Sequence, residues 1–381
     1  MKIKSYILLL LFFSTICLNV VSAQAKTIGT LLITNNGNTV HQNYLVSVPW
    51  KQMLSKYPSI DFKKFKIQSQ FSKKEIPYQL EYLGEFQPQN ILLLLDIIPG
   101  KNEKLSIINE EPSIQVNRTY CRYVPERKDD FAWENDKIAF RMYGKALEGT
   151  KENANGIDVW VKRTNRLILN ERYKRGEYHI DHGDGMDYYH VGMTLGAGNI
   201  APFLFDSIYF PNNYRKWAVL DNGPLRSTFQ LSYDSWMVAG KPVTMTKTVS
   251  IDAGSQLSRI SVCLSSSSLD TLPVVVGITL RKDPGVLYSQ ISTGILAYWE
   301  PTQIQNGTTG VGVIISEPLE KIDIVKDHLL AFFTIKTNQV FTYFSGAAWD
   351  KAQEIISAED WKTYLATQVN KMKTIVDVKL L

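Results

Sequence analysis

The sequence predicts an all-β protein, a sandwich of antiparallel sheets with few short helices. Three observations carry this expectation. Many short runs are rich in β-branched and aromatic residues, as half-buried strands require. Gly, Pro, Asn or Asp separate them, the residues that turn a chain. Only one long stretch has helical periodicity, and no fixed-period repeat points to a propeller or solenoid.

Taken in order, the chain opens MKIKSYILLLLFFSTICLNVVSAQ. Lys2 and Lys4 precede an apolar run that is short for a membrane anchor, and Val21-Ser22-Ala23 offers small residues for cleavage. Residues 1–23 therefore read as a signal peptide, and residues 24–381 as an exported, periplasmic single domain without a membrane span. Within it, 24–115 form an N-terminal β segment and 116–381 the core. TIGTLLITNNGNTV places apolar runs on both sides of Asn35-Asn36-Gly37-Asn38, which predicts a hairpin. YLVSVPW, NILLLLDIIP, KIAFRMYG, IDVWVKR, STFQLSY, VTMTKTVSI, SRISVCLS, LPVVVGITL and VGVIIS continue the strand pattern. SAEDWKTYLATQVNKMK predicts the helix, with Ser357 as cap and Trp361, Leu365, Val369 and Met372 along one face. VDVKLL returns to period two.

The net charge of +5 includes the two leader lysines and is too small to imply nucleic acid. Seven lysines and one acid occupy residues 51–74. A solvated loop accounts for them, and steering of an anionic substrate is the functional alternative. Cys121 and Cys263 are too few for a disulfide framework, so free thiols are at least as well supported as a bridge. No nucleophile elbow, phosphate loop or dinucleotide fingerprint is present.

Chemistry concentrates in three segments. HIDHGDGMDYYHVGM, residues 179–193, holds three of the five histidines. Three roles are open to His179, His182, Asp184 and Asp187: hydrogen bonds within a loop, acid–base catalysis, or ligation of a divalent metal. Neither an HExxH helix nor a cysteine pair accompanies them, and no cofactor is expected. His182, Tyr189 and His190 are the best acid–base candidates. Gly183, Gly185, Gly192, Gly196 and Gly198 would permit backbone conformations closed to other residues. FPNNYRKWAVLDNGPLR sets Arg215 and Lys216 beside Trp217, a guanidinium for a carboxylate and an indole for a sugar face. CRYVPERKDDFAWENDKIAFRMYG carries Trp133, Glu134 and Arg141. Arg141 alternates with Phe140 and Met142, so it faces away from them, to line a cleft or to pair with Glu134 or Asp136.

ERKDDFAWENDKIAFRMYG, GDGMDYYHVGMTLGAG and DNGPLRSTFQLSY together resemble a family of exported Bacteroidetes proteins long labelled as of unknown function and encoded in polysaccharide-utilisation clusters. The resemblance extends from LLITNNGN and YLVSVPW over nearly the whole mature chain. It implies a galactose-mutarotase-like β-supersandwich and an oligosaccharide dehydratase of ulvan degradation. Such an enzyme removes water across C4 and C5 of a saturated uronic acid at the non-reducing end. That elimination needs a base for the C5 proton, an acid for the leaving hydroxyl and a cation beside the carboxylate. The expected assignment is His190 or Tyr189 as base, His182 as acid and Arg215 as neutraliser. Trp133 and Trp217 would hold sugar rings. Glu134, Arg141, His179, Asp187, Tyr188 and Lys216 would contact the anionic oligosaccharide. A polysaccharide lyase, a sugar epimerase or mutarotase, and a glycan-binding protein are the alternatives.

Overall fold

The computed structural model describes residues 26–113 and 115–381; the expected leader lies outside them. An eight-stranded antiparallel sheet is the centre of the molecule. Its order is Lys216–Asn222, Arg226–Val238, Lys241–Asp252, Leu257–Ser265, Val340–Trp349, Thr309–Ile315, Ile295–Trp299, Val286–Gln290. Two five-stranded sheets cover one face. One runs Gly185–Asp187, Asp158–Lys162, Ala139–Met142, Asp130–Asn135, Thr119–Val124, and the other Ser207–Ile208, Ala197–Leu204, Thr271–Thr279, His328–Lys336, Lys321–Val325. The main core fills the space between, where the Phe131 and Phe229 rings stack at 4.2 Å. Each large apolar side chain fully buried there contributes about 1.5–3 kcal/mol. The fold is all-β with antiparallel sheets and few helices, as the period-two pattern predicts.

The helix Ala358–Lys373 lies on the opposite face of the eight-stranded sheet, burying Trp361, Leu365 and Val369. Ser357 caps it by accepting from the Asp360 N–H at 3.1 Å. Met372, the last residue of the expected stripe, is 38% exposed. A Cβ on Gly312 would stand 2.7 Å from Leu365 Cδ1, so glycine is what lets helix and sheet approach here. No helix among the described residues is long and apolar enough to cross a membrane.

The N-terminal segment forms a smaller sandwich with its own core of Leu31, Ile33, Val46, Trp50, Phe65 and Leu93. The expected hairpin at Asn35–Asn38 does not form. Thr27–Asn35 pairs with Asn102–Ile108, whereas His41–Pro49 pairs with Asn90–Ile97 in the other sheet. The Asn35 side chain accepts from the Gly37 N–H at 2.9 Å and donates to the Thr39 carbonyl at 2.9 Å. This local bonding carries the chain from sheet to sheet. The last strand, Val376–Leu380, pairs with Thr27–Asn35, so the chain end closes the N-terminal sandwich. Cys121 and Cys263 are both free.

Candidate active site

Strand alternation divides the Asp130–Asp187 sheet into two faces. Phe131, Trp133, Phe140, Val159 and Val161 enter the main core. Asp130, Glu134, Arg141, Asp158, Trp160, Lys162 and Asp187 take the other side, under the helix Leu169–Arg175 and Tyr178. A sheet face so rich in charge and so buried must pair its charges or use them.

At one end the face is occupied by a single arginine among three carboxylates. Arg141 Nη2 lies 2.6 Å from Asp158 and 3.0 Å from Asp187, and Nη1 lies 3.7 Å from Asp130. Its guanidinium also sits 5.0 Å from the Tyr143 ring centre and 5.1 Å from that of Trp160. Burial pushes Asp130 up to about 7, with Arg141 and Arg127 opposing. Burial and the Asp187 charge push Asp158 up to about 7, with Arg141 opposing. Asp187 is raised by burial too. Burial works against the Arg141 charge, but Asp158 and Asp187 more than offset it and hold the guanidinium protonated. Neither Asp130 oxygen has a hydrogen-bond partner among the described residues, nor do Nε and Nη1 of Arg141. Buried polar atoms left this way are costly.

The cluster reaches solvent through Tyr178 and His179. Tyr178 stacks on Trp160 at 4.8 Å and meets the His179 ring at 4.6 Å. Its hydroxyl accepts from Arg127 Nε at 3.0 Å, so its own proton stays free. Arg127 gives one corner to Glu152 at 3.3 Å, while its buried Nη1 has no partner among the described residues. His179 Nδ1 is 2.8 Å from the Asp187 carbonyl, and the His179 side chain is 67% exposed. A carbonyl can only accept, so Nδ1 carries the proton in the neutral ring and Nε2 keeps its lone pair. The glycines of this loop are structural: Gly185 has φ +102°, and a Cβ there would stand 2.1 Å from the Val161 carbonyl oxygen. Asp181 Oδ1 ties the turn by accepting from the Gly183 and Gly185 N–H groups, both at 2.9 Å.

Of the residues singled out in the sequence, Arg141, Asp187 and His179 meet here. The others do not. Arg141 pairs with neither Glu134 nor Asp136, because Glu134 bonds Lys162 at 2.7 Å and Asp136 bonds Arg118 at 2.7 Å. Trp133 is 1% exposed and donates to Ser258 at 2.9 Å, which removes it from any sugar. Glu134 accepts from the Ile168 and Leu169 N–H groups at 2.7 and 2.8 Å and so caps a helix. Arg215 is held bidentately by Glu148 at 2.7 and 3.0 Å, leaving little for a substrate carboxylate. Lys216 is exposed, and Trp217, 45% exposed, stacks on Tyr123 at 4.9 Å. Tyr188 bonds Thr309 at 2.6 Å. Tyr189 is buried with Arg281 4.4 Å over its ring, and burial holds its hydroxyl well above the ordinary range, unsuited to a base. The exposed His190 offers only its backbone carbonyl, to Arg281 at 2.6 Å. His182 lies 3.7 Å from Glu177. Of the four residues for which metal ligation was one open role, His179 and Asp187 stay together, whereas His182 lies by Glu177 and Asp184 turns to Arg175 at 3.5 Å. Among the described residues, no group of three or more His, Cys, Asp or Glu is placed to hold a metal.

Sequence reasoning missed Arg127, Asp130, Asp158 and Tyr178. The available signal was a carboxylate directly before each core-facing pair, DFAW and DVWV. A cleft of about 730 Å³ lies elsewhere, beside the helix Ala358–Lys373. No contact there joins a histidine to a carboxylate among the described residues, so size and chemistry part company.

In fold the chain is similar to a protein in glycosyl hydrolase family 38 from Enterococcus faecalis, with a TM-score of 0.50 and 10% identity over 92% of this chain. It spans 47% of that protein, and at this identity the likeness is one of fold. In sequence it is 29% identical over 342 residues to "Uncharacterized protein P7" of Formosa agariphila, covering 84% of this chain and 85% of that one. Residues 33–378 match the family described as a domain of unknown function, DUF4861, and the chain belongs to that family.

Proposed function

We propose that the chain is a carbon–oxygen lyase, a dehydratase that removes water across C4 and C5 of a saturated uronic acid ending an ulvan-type oligosaccharide, outside the cytoplasm. One observation carries this reading. His179, with Nδ1 committed to the Asp187 carbonyl, stands beside the Arg127–Tyr178 pair and above carboxyls held near neutrality.

The catalytic roles then pass from His190, Tyr189, His182 and Arg215 to their neighbours in the fold. The Arg127 guanidinium, beside Tyr178, neutralises the uronate carboxylate, which makes the C5 proton acidic enough to remove. His179 Nε2 takes that proton. Tyr178 gives its hydroxyl proton to the departing O4, so that water leaves and the C4–C5 double bond forms. The carboxyl cluster, in which burial pushes Asp130 and Asp158 up to about 7, supplies the proton that resets Tyr178. Absorbance of the conjugated uronate, followed with mass spectrometry on saturated uronate-terminated oligosaccharides, tests this. Loss of one water at constant chain length supports the dehydratase, whereas shorter chains would make the protein a polysaccharide lyase.

A further inference from the structure

The cleft of about 730 Å³ lies between the N-terminal sandwich, the back of the eight-stranded sheet and the helix Ala358–Lys373. Its volume is in the range of pockets that enclose a ligand. Arg259 projects from the middle of the sheet, where its strand neighbours are Ser250 and Phe344. It is exposed to the cleft, and its one hydrogen bond among the described residues is a long one to Ser250, 3.4 Å. Lys371 approaches from the helix, donating to the Asn43 carbonyl at 3.3 Å and lying 5.4 Å from the Tyr44 ring centre. Neither has a carboxylate within ion-pair distance among the described residues.

The acids that could have served them are engaged. Asp252 is gripped by Arg226 through two bonds, the longer 2.9 Å, and Glu354 pairs with Lys137. Burial and then Arg226 pull the Arg259 guanidinium below the usual arginine range, and burial pulls Lys371 down as well. The helix dipole accounts for a lysine in a last turn. It offers nothing to an arginine in mid-sheet, whose placement without an anion is unfavourable. Tyr44, Phe344 and Tyr364 give the cleft aromatic walls, and Gln42, Thr367 and Gln368 give it polar ones.

We infer that this cleft is a second binding site, for an acidic segment of a glycan, in which Arg259 and Lys371 receive a sulfate or carboxylate and the aromatic walls receive sugar rings. It lies on the face of the eight-stranded sheet opposite the main core, so it holds chain rather than reacting it. Only the ligand class rests on the proposed function.

Calorimetric titration of His179→Ala protein, whose turnover should be about 10²- to 10⁴-fold lower, tests the site with three probes: a sulfated uronate oligosaccharide, a neutral one of equal length, and inorganic sulfate. Adding Arg259→Gln and Lys371→Gln should weaken the acidic oligosaccharide by about tenfold or more, the loss expected for charge-assisted contacts. Turnover of a short substrate by the Arg259→Gln/Lys371→Gln protein should stay at the unsubstituted rate. In unsubstituted protein the acidic oligosaccharide should also shield Lys371 from acylation, a readout independent of the variants' folding. Undiminished binding in the substituted protein, equal binding of the neutral oligosaccharide, or shielding by sulfate alone at the same concentration would each overturn the inference. Binding that behaves as expected in a protein without dehydratase activity would keep this site and discard the proposed reaction.

Discussion

The two ends of one sheet face make opposite use of buried charge. At the Glu134 end, Lys162 and two helix N–H groups occupy the carboxylate, and Lys162 also donates to the Asn135 carbonyl at 2.5 Å. At the Arg141 end, the same strands leave Asp130 and parts of Arg141 without hydrogen-bond partners among the described residues, and burial pushes the Asp130 and Asp158 carboxyls up to about 7. Burial is the same at both ends. What differs is satisfaction: a completed network positions a helix, whereas an incomplete one retains protons that can move.

The comparison is broken most forcefully at His179. His179→Ala should lower turnover about 10²- to 10⁴-fold with little change in melting temperature, because the ring is largely exposed. A rate within experimental error of the unsubstituted protein would place the chemistry elsewhere. Glu134→Ala should do the reverse. It strands Lys162 and two N–H groups in the interior, so unfolding should become easier by about 3–5 kcal/mol, while the rate per folded molecule holds. Chemical denaturation alongside an active-fraction assay separates the two effects.

A subtler contrast lies in pH. Asp130 stands at about 7 in the fold against an ordinary 3.8, so between those values the native state binds a proton that the unfolded chain lacks. Stability from this group is complete below the lower value and is lost as pH rises through the upper one. Asp130→Asn should therefore melt less differently across that window than the unsubstituted protein, and parallel melting curves would contradict the assignment. The smallest effect belongs to Arg215→Gln. Its partly exposed pair with Glu148 is worth about 0–1 kcal/mol, and turnover should not change if Arg215 is not the carboxylate neutraliser.

The strands were legible because alternation is local. IDVWVKR and KIAFRMYG show their two faces within a few residues, and each is a strand in the fold. The turn at Asn35–Asn38 was misread because a hairpin and a crossing between sheets use the same turn residues, and pairing partners far along the chain decide between them. In the HIDHGDGMDYYHVGM stretch, where the sequence concentrates its chemistry, Asp187 meets Arg141 and His179 meets both Asp187 and Tyr178. His182 and His190 look equivalent to His179 in sequence; what separates them is which residue the loop lays against the sheet. Asp130 and Asp158 escaped notice because strand register, not spacing, brings them to Arg141.

The most direct test of the central claim compares unsubstituted and His179→Ala protein on a saturated, uronate-terminated oligosaccharide, following ultraviolet absorbance and product mass together. The account predicts rising absorbance with loss of one water at constant length for the first, and product formed about 10²- to 10⁴-fold more slowly at equal melting temperature for the second. Equal product from both proteins, or none from either across several uronate glycans, would contradict it.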